Sequence, residues 1–309
     1  MKLLDAIRRI IAAYYWAAYS LHHALCLRPG RELKRSRLIV VGSFRAGGAG
    51  KTPFTLWLAR RLTAQGKRVA ILCHKAAFDE IRLFQQELAE QIQTGAVNVV
   101  GTDNRYRTAR ELDRAGEPDG LHGTGTAPDF ILCDDGFEDS RLRPHAIFRM
   151  DWEKAPTAVE QLIPAGKFRS LLQDHARDLN KTLGLRCYGV NPDILFHIDS
   201  ISNCKGEFPQ YRQNIAICGL GDPKRFIRDL QRAELTLTKQ IIRPDHDRNF
   251  EKITRLALRD DPQSNLILSQ KDALRLSEDL LQNPRIFIAR QTVQVSDPAR
   301  AQIQEVLAK

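Results

Sequence analysis

Residues 38–53 read LIVVGSFRAGGAGKTP, and this segment is the strongest indication of the fold. It begins with four apolar residues, Leu38 to Val41, which have the composition of a buried strand. A glycine-rich turn follows and ends in Gly50-Lys51-Thr52, after which apolar residues recur at helical spacing. A strand, a glycine-rich turn and a helix in this order are typical of a phosphate-binding loop.

The turn is predicted to bind a nucleotide through its backbone N–H groups and the positive end of the following helix. Lys51 is expected to reach the terminal phosphates, and the hydroxyl of Thr52 is expected to complete the shell of a bound Mg²⁺. The residues predicted to contact the nucleotide are Gly47, Gly48, Ala49, Gly50, Lys51 and Thr52.

The match to the phosphate-loop pattern is incomplete at one position. Five residues before Gly50, where the pattern has glycine, the chain has Arg45. We expect Gly47 and Gly48 to supply the flexibility instead. The alternative interpretation is a glycine-rich turn that only packs tightly between a strand and a helix.

Acidic residues follow two further predicted strands. The segment DFILCDDGF, residues 129–137, is an apolar strand that ends in Asp134 and Asp135. Asp79 and Glu80 come shortly after the second strand of the chain. Because parallel strands place their carboxyl ends at one edge of a sheet, these acids are expected near the phosphate loop. The alternative is ordinary charge at turns and helix starts. The predicted Mg²⁺ ligands are Thr52, Glu80, Asp134 and Asp135.

Predicted strands and helices alternate along most of the chain, which indicates an α/β fold. The expected architecture is a mostly parallel sheet flanked by helices, as in P-loop NTPases, with a second, smaller α/β domain. An apolar strand at 214–218 and a glycine turn at 219–223 indicate the second domain. The predicted parts of the chain are an N-terminal amphipathic helix in residues 1–37, a nucleotide-binding domain in 38–205 and a C-terminal domain in 206–309.

The N-terminal segment is expected to contact a membrane surface. Apolar residues from Leu3 to Leu21 gather on one helical face, and basic residues such as Arg8 and Arg9 flank it. The chain has 47 Lys and Arg against 37 Asp and Glu, and the formal charge of +10 favours an anionic partner. A basic amphipathic helix suits an anionic membrane surface. The alternative is a helix that packs on the protein's own core.

Other classes of protein are disfavoured by composition. No apolar run approaches the roughly 20 residues that a membrane-spanning helix needs. The six cysteines lack C-x-x-C spacing, and three lie within apolar strand-like runs, which is typical of a reducing compartment. The positive charge also suits nucleic acid, but no nucleic-acid recognition module is evident. We therefore expect no nucleic-acid partner.

Several motifs occur in an order that resembles the tetraacyldisaccharide 4'-kinase family, the lipid A 4'-kinases. They are VGSFRAGGAGKTP at 41–53, DDGF at 134–137, LIPAGKFR at 162–169, CGLGDPKRF at 218–226, RPDH at 243–246 and SQKDA at 269–273. The last is similar to the family's TEKDA. The motifs extend over nearly the whole chain, which is therefore identified as a divergent member of this family.

The resemblance implies a kinase that uses ATP and Mg²⁺ to phosphorylate the 4'-hydroxyl of a tetraacyldisaccharide 1-phosphate lipid A precursor. It also implies peripheral attachment to the cytoplasmic face of the inner membrane, so the lipid disaccharide phosphate and the anionic membrane surface are the expected partners. By resemblance to the family's GDEP motif, Asp79 in FDEI acts as a base together with His246. Lys51 completes the implied catalytic set. We expect the protein to act as a monomer.

The chain departs from the family pattern at several positions. Ser43 stands for the usual asparagine after VG, Glu138 and Asp139 stand for the QH of DDGFQH, and Ser170 stands for a glutamate. The phosphate loop, the acid pair and both base candidates are retained, which favours an active kinase. Two other functions stay open: a nucleotide-binding switch or maturation factor, and a catalytically inactive lipid-binding relative.

Overall fold

The structure is a computed structural model, and it describes residues 2–25, 30–115, 126–139, 141–209, 213–245 and 247–309. The chain forms two compact units. One comprises Met1–Ile194 together with Val295–Lys309, and the other comprises Leu195–Gln294. The domain limits expected at residues 37 and 205 stay a prediction.

The first unit is built from strands that alternate with helices, as the sequence predicts. Its elements are α1 (Lys2–Leu25), β1 (Arg37–Gly42), α2 (Lys51–Ala64), β2 (Val69–His74), α3 (Phe78–Glu87), α4 (Ala89–Gln93), β3 (Val97–Thr102), α5 (Arg105–Asp113), β4 (Phe130–Asp134), β5 (Ala146–Asp151) and β6 (Thr182–Arg186). Two 3-10 segments, Val159–Gln161 and Leu172–Lys181, lie between β5 and β6.

A six-stranded sheet organises this unit, in the order β3-β2-β4-β1-β5-β6. Every neighbouring pair of its strands is parallel. Strand β1 lies between β4 and β5, and its register with β4 pairs Val41 with Asp134. Because helices cover both faces of such a sheet, β1 is a continuous apolar run and is buried from Leu38 to Gly42. The predicted α/β fold with a mostly parallel sheet is confirmed.

The second unit has a sheet of its own, which confirms the predicted second α/β unit. Its elements are β7 (Ile194–Ser202), β8 (Gln213–Cys218), α6 (Pro223–Arg232), β9 (Lys239–Ile242), α7 (Phe250–Asp260), β10 (Ser264–Ser269), α8 (Gln270–Ala273), α9 (Glu278–Leu281) and β11 (Ile286–Val295). The strand order is β7-β11-β10-β8-β9. Strand β8 is parallel to β9 and β10, and β10 is parallel to β11.

The chain ends in α10 (Asp297–Ala308), which belongs to the first unit. The guanidinium of Arg37 donates to the carbonyl oxygen of Leu307, and Arg61 Nη2 lies 3.4 Å from Gln304 Oε1. These hydrogen bonds connect the last helix to the start of β1 and to α2.

Helix α1 has one face on the core of the first unit and another exposed to solvent. Ala12 is fully buried, and Tyr15 and Trp16 pack against the same core cluster. The large apolar residues that form the exposed outer face of α1 are Leu3, Leu4, Ile7, Ile10, Ile11 and Leu21. Within the ranges that the structure describes, no helix has both the length and the apolar character needed to cross a bilayer.

Candidate functional site

The loop between β1 and α2 has a backbone that only glycine adopts easily. Gly47, Gly48 and Gly50 have φ angles of 75°, 62° and 78°, in the left-handed region. Gly50 is the N-cap of α2, and no side chain caps this helix. The first-turn N–H groups therefore lack a side-chain acceptor and are suited to an anion.

Arg45 stands where the phosphate-loop pattern has glycine, and its backbone does not need a positive φ. The positive φ angles of the loop lie at the three glycines further along the chain. Arg45 instead pairs with Phe168 in an isolated antiparallel bridge. The loop thus keeps its anion-binding end while its first part is held by the segment 162–169.

Two parts of the chain hold the loop in place. From segment 162–169, the carbonyl of Lys167 accepts the N–H of Ala46 at 2.9 Å, and Arg169 N–H donates to the carbonyl of Phe44 at 2.9 Å. On the other side, the indole Nε1 of Trp152 donates to the carbonyl of Ala49 at 2.9 Å. Several carbonyls and amides of the loop are therefore occupied by protein.

Ser43, one of the departures from the family pattern, has a clear local role. Its Oγ donates a hydrogen bond to the carbonyl of Met150 at 2.8 Å. The same Oγ accepts a hydrogen bond from the backbone N–H of Arg45 at 3.2 Å. A small hydroxyl therefore joins the start of the loop to β5.

Asp134 lies at the carboxyl end of β4 and faces the start of α2. The hydroxyl of Thr52 donates to its Oδ2 at 3.0 Å, and that of Thr55 donates to its Oδ1 at 2.9 Å. Burial raises the pKa of Asp134, and the nearby carboxylates of Glu80 and Asp135 raise it further. A buried acid beside two other acids is a place where a cation would lower the electrostatic cost.

Asp135 has a left-handed backbone, with φ of 55°, which is unusual for a residue other than glycine. Its Oδ1 lies 3.2 Å from Lys51 Nζ, and its Oδ2 lies 3.1 Å from Arg169 Nη1. Burial opposes the charge, but Lys51 and Arg169 together lower the pKa of Asp135 to about 2. Asp135 is therefore ionised and holds two cations beside the loop.

Asp79 and Glu80 lie in the first turn of α3, after the carboxyl end of β2. Asp79 is fully buried, and its Oδ1 accepts the N–H of Glu80 at 3.1 Å. The carboxylate of Glu80 raises the pKa of Asp134, so Glu80 and Asp134 belong to one electrostatic cluster. His246 lies outside the described residues, so its partnership with Asp79 stays a prediction.

Lys51, Thr52, Asp134 and Asp135 thus lie in one region of the first unit, and Glu80 is near enough to raise the pKa of Asp134. Asp79 is the neighbour of Glu80 in α3, and its part in the site stays a prediction. Direct side-chain contacts join Thr52 to Asp134 and Lys51 to Asp135. The remaining loop residues, Gly47 to Gly50, supply the backbone around Lys51.

Sequence reasoning did not assign two arginines that contact this cluster. Arg169 forms ion pairs with both Asp135 and Glu138. Its Nη1 lies 3.8 Å from Glu138 Oε2. Arg105 Nη2 donates to the carbonyl of Asp134 at 3.2 Å, and among the described residues its buried Nε has no hydrogen-bond partner. Arg169 lay within a motif quoted above, and Arg105 begins the helix after β3, at the same edge of the sheet. These two positions in the sequence could have indicated that both arginines lie near the site.

The donor set fits Mg²⁺ that is held together with phosphate oxygens. Within the described residues, no group of three or more His, Cys, Asp or Glu side chains forms a metal site by itself. Mg²⁺ in phosphoryl-transfer sites takes one or two carboxylates and completes its shell with phosphate oxygens and water. The oxygens of Thr52 and Asp134, 3.0 Å apart, offer this chemistry beside the loop.

Comparisons with known proteins identify the family. The family model described as Tetraacyldisaccharide-1-P 4'-kinase, LpxK, matches residues 4–308. A tetraacyldisaccharide 4'-kinase of Geobacter sulfurreducens is 27% identical over 96% of this chain and 92% of its own length. The enzyme of the same name from Haemophilus influenzae is 27% identical over 84% of this chain and 80% of its own.

A solved structure shows the same fold. The crystal structure of the "apo" form of LpxK from Aquifex aeolicus in complex with ATP has a TM-score of 0.65 and 19% sequence identity, and it covers 98% of this chain and 99% of that chain. The family match extends over nearly the full length and includes the loop and the acid cluster. The chain therefore belongs to the tetraacyldisaccharide 4'-kinase family and is a kinase.

Proposed function

We propose that the protein transfers the γ-phosphoryl group of ATP to the 4'-hydroxyl of a tetraacyldisaccharide 1-phosphate precursor of lipid A. The observation that carries the proposal is the cluster formed by the open loop at Gly50, the Lys51–Asp135 ion pair and the Thr52–Asp134 hydrogen bond. The names of the relatives supply the substrate class. ATP in the Aquifex aeolicus structure supports the choice of nucleotide.

The loop would bind the β- and γ-phosphates through the N–H groups at the start of α2. Lys51 would turn from Asp135 towards the phosphate oxygens and offset the negative charge that develops during transfer. Arg169 remains as a partner for Asp135, 3.1 Å away, when Lys51 is used in this way. Because Arg169 stays paired with Asp135, the carboxylate is not left without a cation when Lys51 moves to the phosphates.

Mg²⁺ bound at this site would neutralise the phosphate oxygens and keep the transferring group aligned. We propose Thr52 and Asp134 as its nearest protein ligands because their oxygens lie 3.0 Å from each other at the start of α2. Glu80 and Asp135 complete the acidic surroundings. Asp135 already uses both carboxylate oxygens on Lys51 and Arg169, so its part is the more indirect one.

Asp79 and His246 are the proposed base for the acceptor hydroxyl. In this proposal the buried carboxylate of Asp79 orients the imidazole, which then takes the proton from the 4'-hydroxyl as the phosphoryl group is transferred. The assignment rests on the match of FDEI and RPDH to the family motifs. Asp79→Asn is expected to lower kcat about 100-fold or more and to leave nucleotide affinity nearly unchanged.

We also propose that the outer face of α1 contacts the cytoplasmic surface of the inner membrane. The face is apolar and exposed, with Ile10 at 69% and Leu3 at 76% exposure, and the chain has a formal charge of +10. We expect Ile10→Glu to reduce co-sedimentation with anionic lipid vesicles about tenfold, because an apolar side chain is replaced by a charge. A monomer without a nucleic-acid partner remains our expectation.

A direct test of the reaction uses two acceptors that differ in one group. The protein is incubated with Mg²⁺, ATP and either tetraacyldisaccharide 1-phosphate or its 4'-deoxy analogue, and the lipid products are identified by mass spectrometry. We expect phosphorylation of the first acceptor and none of the second. Equal phosphorylation of both would contradict the 4' assignment. ATP binding without any lipid product would favour a nucleotide-binding switch.

A further inference from the structure

A hydrogen bond joins helix α1 to Arg169, beside the phosphate loop. The hydroxyl of Tyr15 donates to the carbonyl oxygen of Arg169 at 3.0 Å. Tyr15 belongs to the inner face of α1, which packs on the core of the first unit. Its neighbour Tyr14 lies on the solvent side and is 77% exposed. Two adjacent tyrosines therefore have opposite environments.

Arg169 connects this contact to the phosphate loop in two ways. Its N–H donates to the carbonyl of Phe44 at 2.9 Å, at the start of the loop. Its guanidinium Nη1 lies 3.1 Å from Asp135 Oδ2, and the other oxygen of Asp135 lies 3.2 Å from Lys51 Nζ. A continuous series of contacts thus runs from Tyr15 through Arg169 and Asp135 to Lys51.

We propose that Tyr15 is a positioning residue, whose hydroxyl fixes the main chain at Arg169 and thereby keeps the guanidinium on Asp135. This inference rests on the proposed kinase function and extends it, because it assigns α1 a part in the nucleotide site. In this view the helix that contacts the membrane also supports the phosphate loop.

The physical reason is competition for Lys51. Asp135 and a bound phosphate both attract this lysine, and Arg169 reduces the pull of Asp135 by pairing with its second oxygen. When Arg169 is displaced, Asp135 holds Lys51 more strongly and less of it is available to the nucleotide. Burial raises the pKa of Tyr15, so its hydroxyl keeps the proton that it donates.

The experiment compares Tyr15→Phe with Tyr14→Phe, which removes the same hydroxyl from the exposed neighbour. Calorimetry with a non-hydrolysable ATP analogue and Mg²⁺ measures the affinity of the full-length protein. We expect the Kd of Tyr15→Phe to rise about five- to tenfold, the effect of one lost hydrogen bond, and that of Tyr14→Phe to stay within about twofold. Cooperative thermal unfolding of both variants shows that they are folded.

A double-mutant cycle separates positioning from simple loss of stability. In an Arg169→Ala background the carbonyl at position 169 is still present, but the guanidinium is gone. If Tyr15 acts through that group, Tyr15→Phe changes the Kd by less than about twofold in this background. If Tyr15→Phe raises the Kd by about the same five- to tenfold factor in the wild-type and Arg169→Ala backgrounds, the proposal is overturned.

The outcomes also distinguish this inference from the proposed function. Unchanged affinity in Tyr15→Phe, with a wild type that binds nucleotide and phosphorylates the lipid, would reject only the role of Tyr15. Nucleotide binding that depends on Tyr15 but is followed by no lipid phosphorylation would support the positioning role and reject the kinase reaction. A wild type that binds no nucleotide would overturn both.

Discussion

The two units contain the same local arrangement, a strand followed by a glycine-containing turn and a helix, but the two turns are finished in opposite ways. In the first unit, α2 begins at Lys51 after Gly50, and no side chain caps it. In the second unit, the Asp222 carboxylate at the start of α6 accepts the N–H of Arg225 at 3.1 Å. One helix start is open to an external anion, and the other contains its own.

The turn of the second unit is satisfied further by a buried carboxylate. The N–H of Gly219 lies 3.2 Å from both oxygens of Asp272, and the hydroxyl of Ser269 donates to Asp272 Oδ2 at 2.7 Å. None of the glycines in this turn has a positive φ. Amides that already have protein acceptors offer little to a phosphate.

This contrast indicates that charge at the helix start distinguishes the proposed binding loop from a structural turn. Gly-Lys-Thr leaves the amides open and adds a cation, whereas Gly-Asp-Pro supplies an anion and removes one N–H. Both sequences contain glycine after an apolar strand. The glycine alone therefore does not identify the site.

The largest effect is expected from removing the cation of the open loop. Lys51→Ala should lower kcat for phosphoryl transfer about 100- to 1,000-fold, because it removes the cation that the loop itself provides to offset the charge developing on the γ-phosphoryl group. Lys67→Ala, an exposed lysine just after α2, is the matched control and should retain wild-type activity. The rates are measured with saturating ATP. Equal activity of the two variants would show that the loop does not bind the reacting phosphates.

Backbone conformation gives the next effect. Gly50→Ala and Gly66→Ala both introduce a side chain at a positive φ, 78° and 75° respectively, and each should cost about 1–2 kcal/mol of unfolding free energy. Only Gly50→Ala should also lose nucleotide affinity, by about tenfold or more, because the amides that follow Gly50 form the proposed phosphate site. Denaturant unfolding and nucleotide titration measure the two quantities. Loss of affinity in Gly66→Ala would break the assignment of the loop.

A closed arrangement also occurs inside the first unit, and its loss should affect stability alone. The Asp113 carboxylate accepts the N–H groups of Lys34, Arg35 and Ser36 at 2.9, 2.8 and 2.7 Å. Burial opposes its charge, but these three hydrogen bonds lower the pKa of Asp113 below its ordinary 3.8. Asp113→Asn should cost about 1–3 kcal/mol at neutral pH.

The pH dependence of that cost follows from the direction of the shift. Because the folded pKa is lowered, the ionised carboxylate stabilises the fold above pH 3.8, and the contribution is lost as pH falls through the folded value. The difference in unfolding free energy between wild type and Asp113→Asn should therefore shrink in acid. A difference that stays constant with pH would contradict this account of Asp113.

The smallest effect is expected at the capped helix of the second unit. Asp222→Ala should lower the unfolding free energy by about 1 kcal/mol, the usual contribution of an N-cap, and leave nucleotide affinity unchanged. Thermal unfolding and nucleotide titration check both parts. If Asp222→Ala instead gained affinity for inorganic phosphate, the side-chain cap alone would explain why the second turn does not bind an anion, and the lysine of the first turn would not be needed for the difference.

Local features of the fold could be predicted from the sequence. Strand β1, the loop and α2 are specified by an apolar run, glycines and helical spacing within a short segment, and each was found within a few residues of its expected place. The carboxyl-end rule for parallel strands placed Asp134 and Asp135 beside the loop. These inferences needed only neighbouring residues and a general rule of topology.

Features that depend on distant contacts could not be predicted in the same way. Arg169 is far along the chain from Lys51, and its role follows from pairing between segment 162–169 and the loop. The break between α3 and α4 falls at Leu88, whose side chain is fully buried and whose φ of −119° is not helical. Tertiary packing, which local propensity does not contain, decides both.

The most direct test of the account is single-turnover transfer of γ-labelled phosphate from ATP, with the protein in excess over ATP and tetraacyldisaccharide 1-phosphate present. The account predicts that the label moves to the lipid with the wild type and with Lys67→Ala, and stays on ATP with Lys51→Ala. Label released only as inorganic phosphate, or transferred equally well by Lys51→Ala, would contradict it.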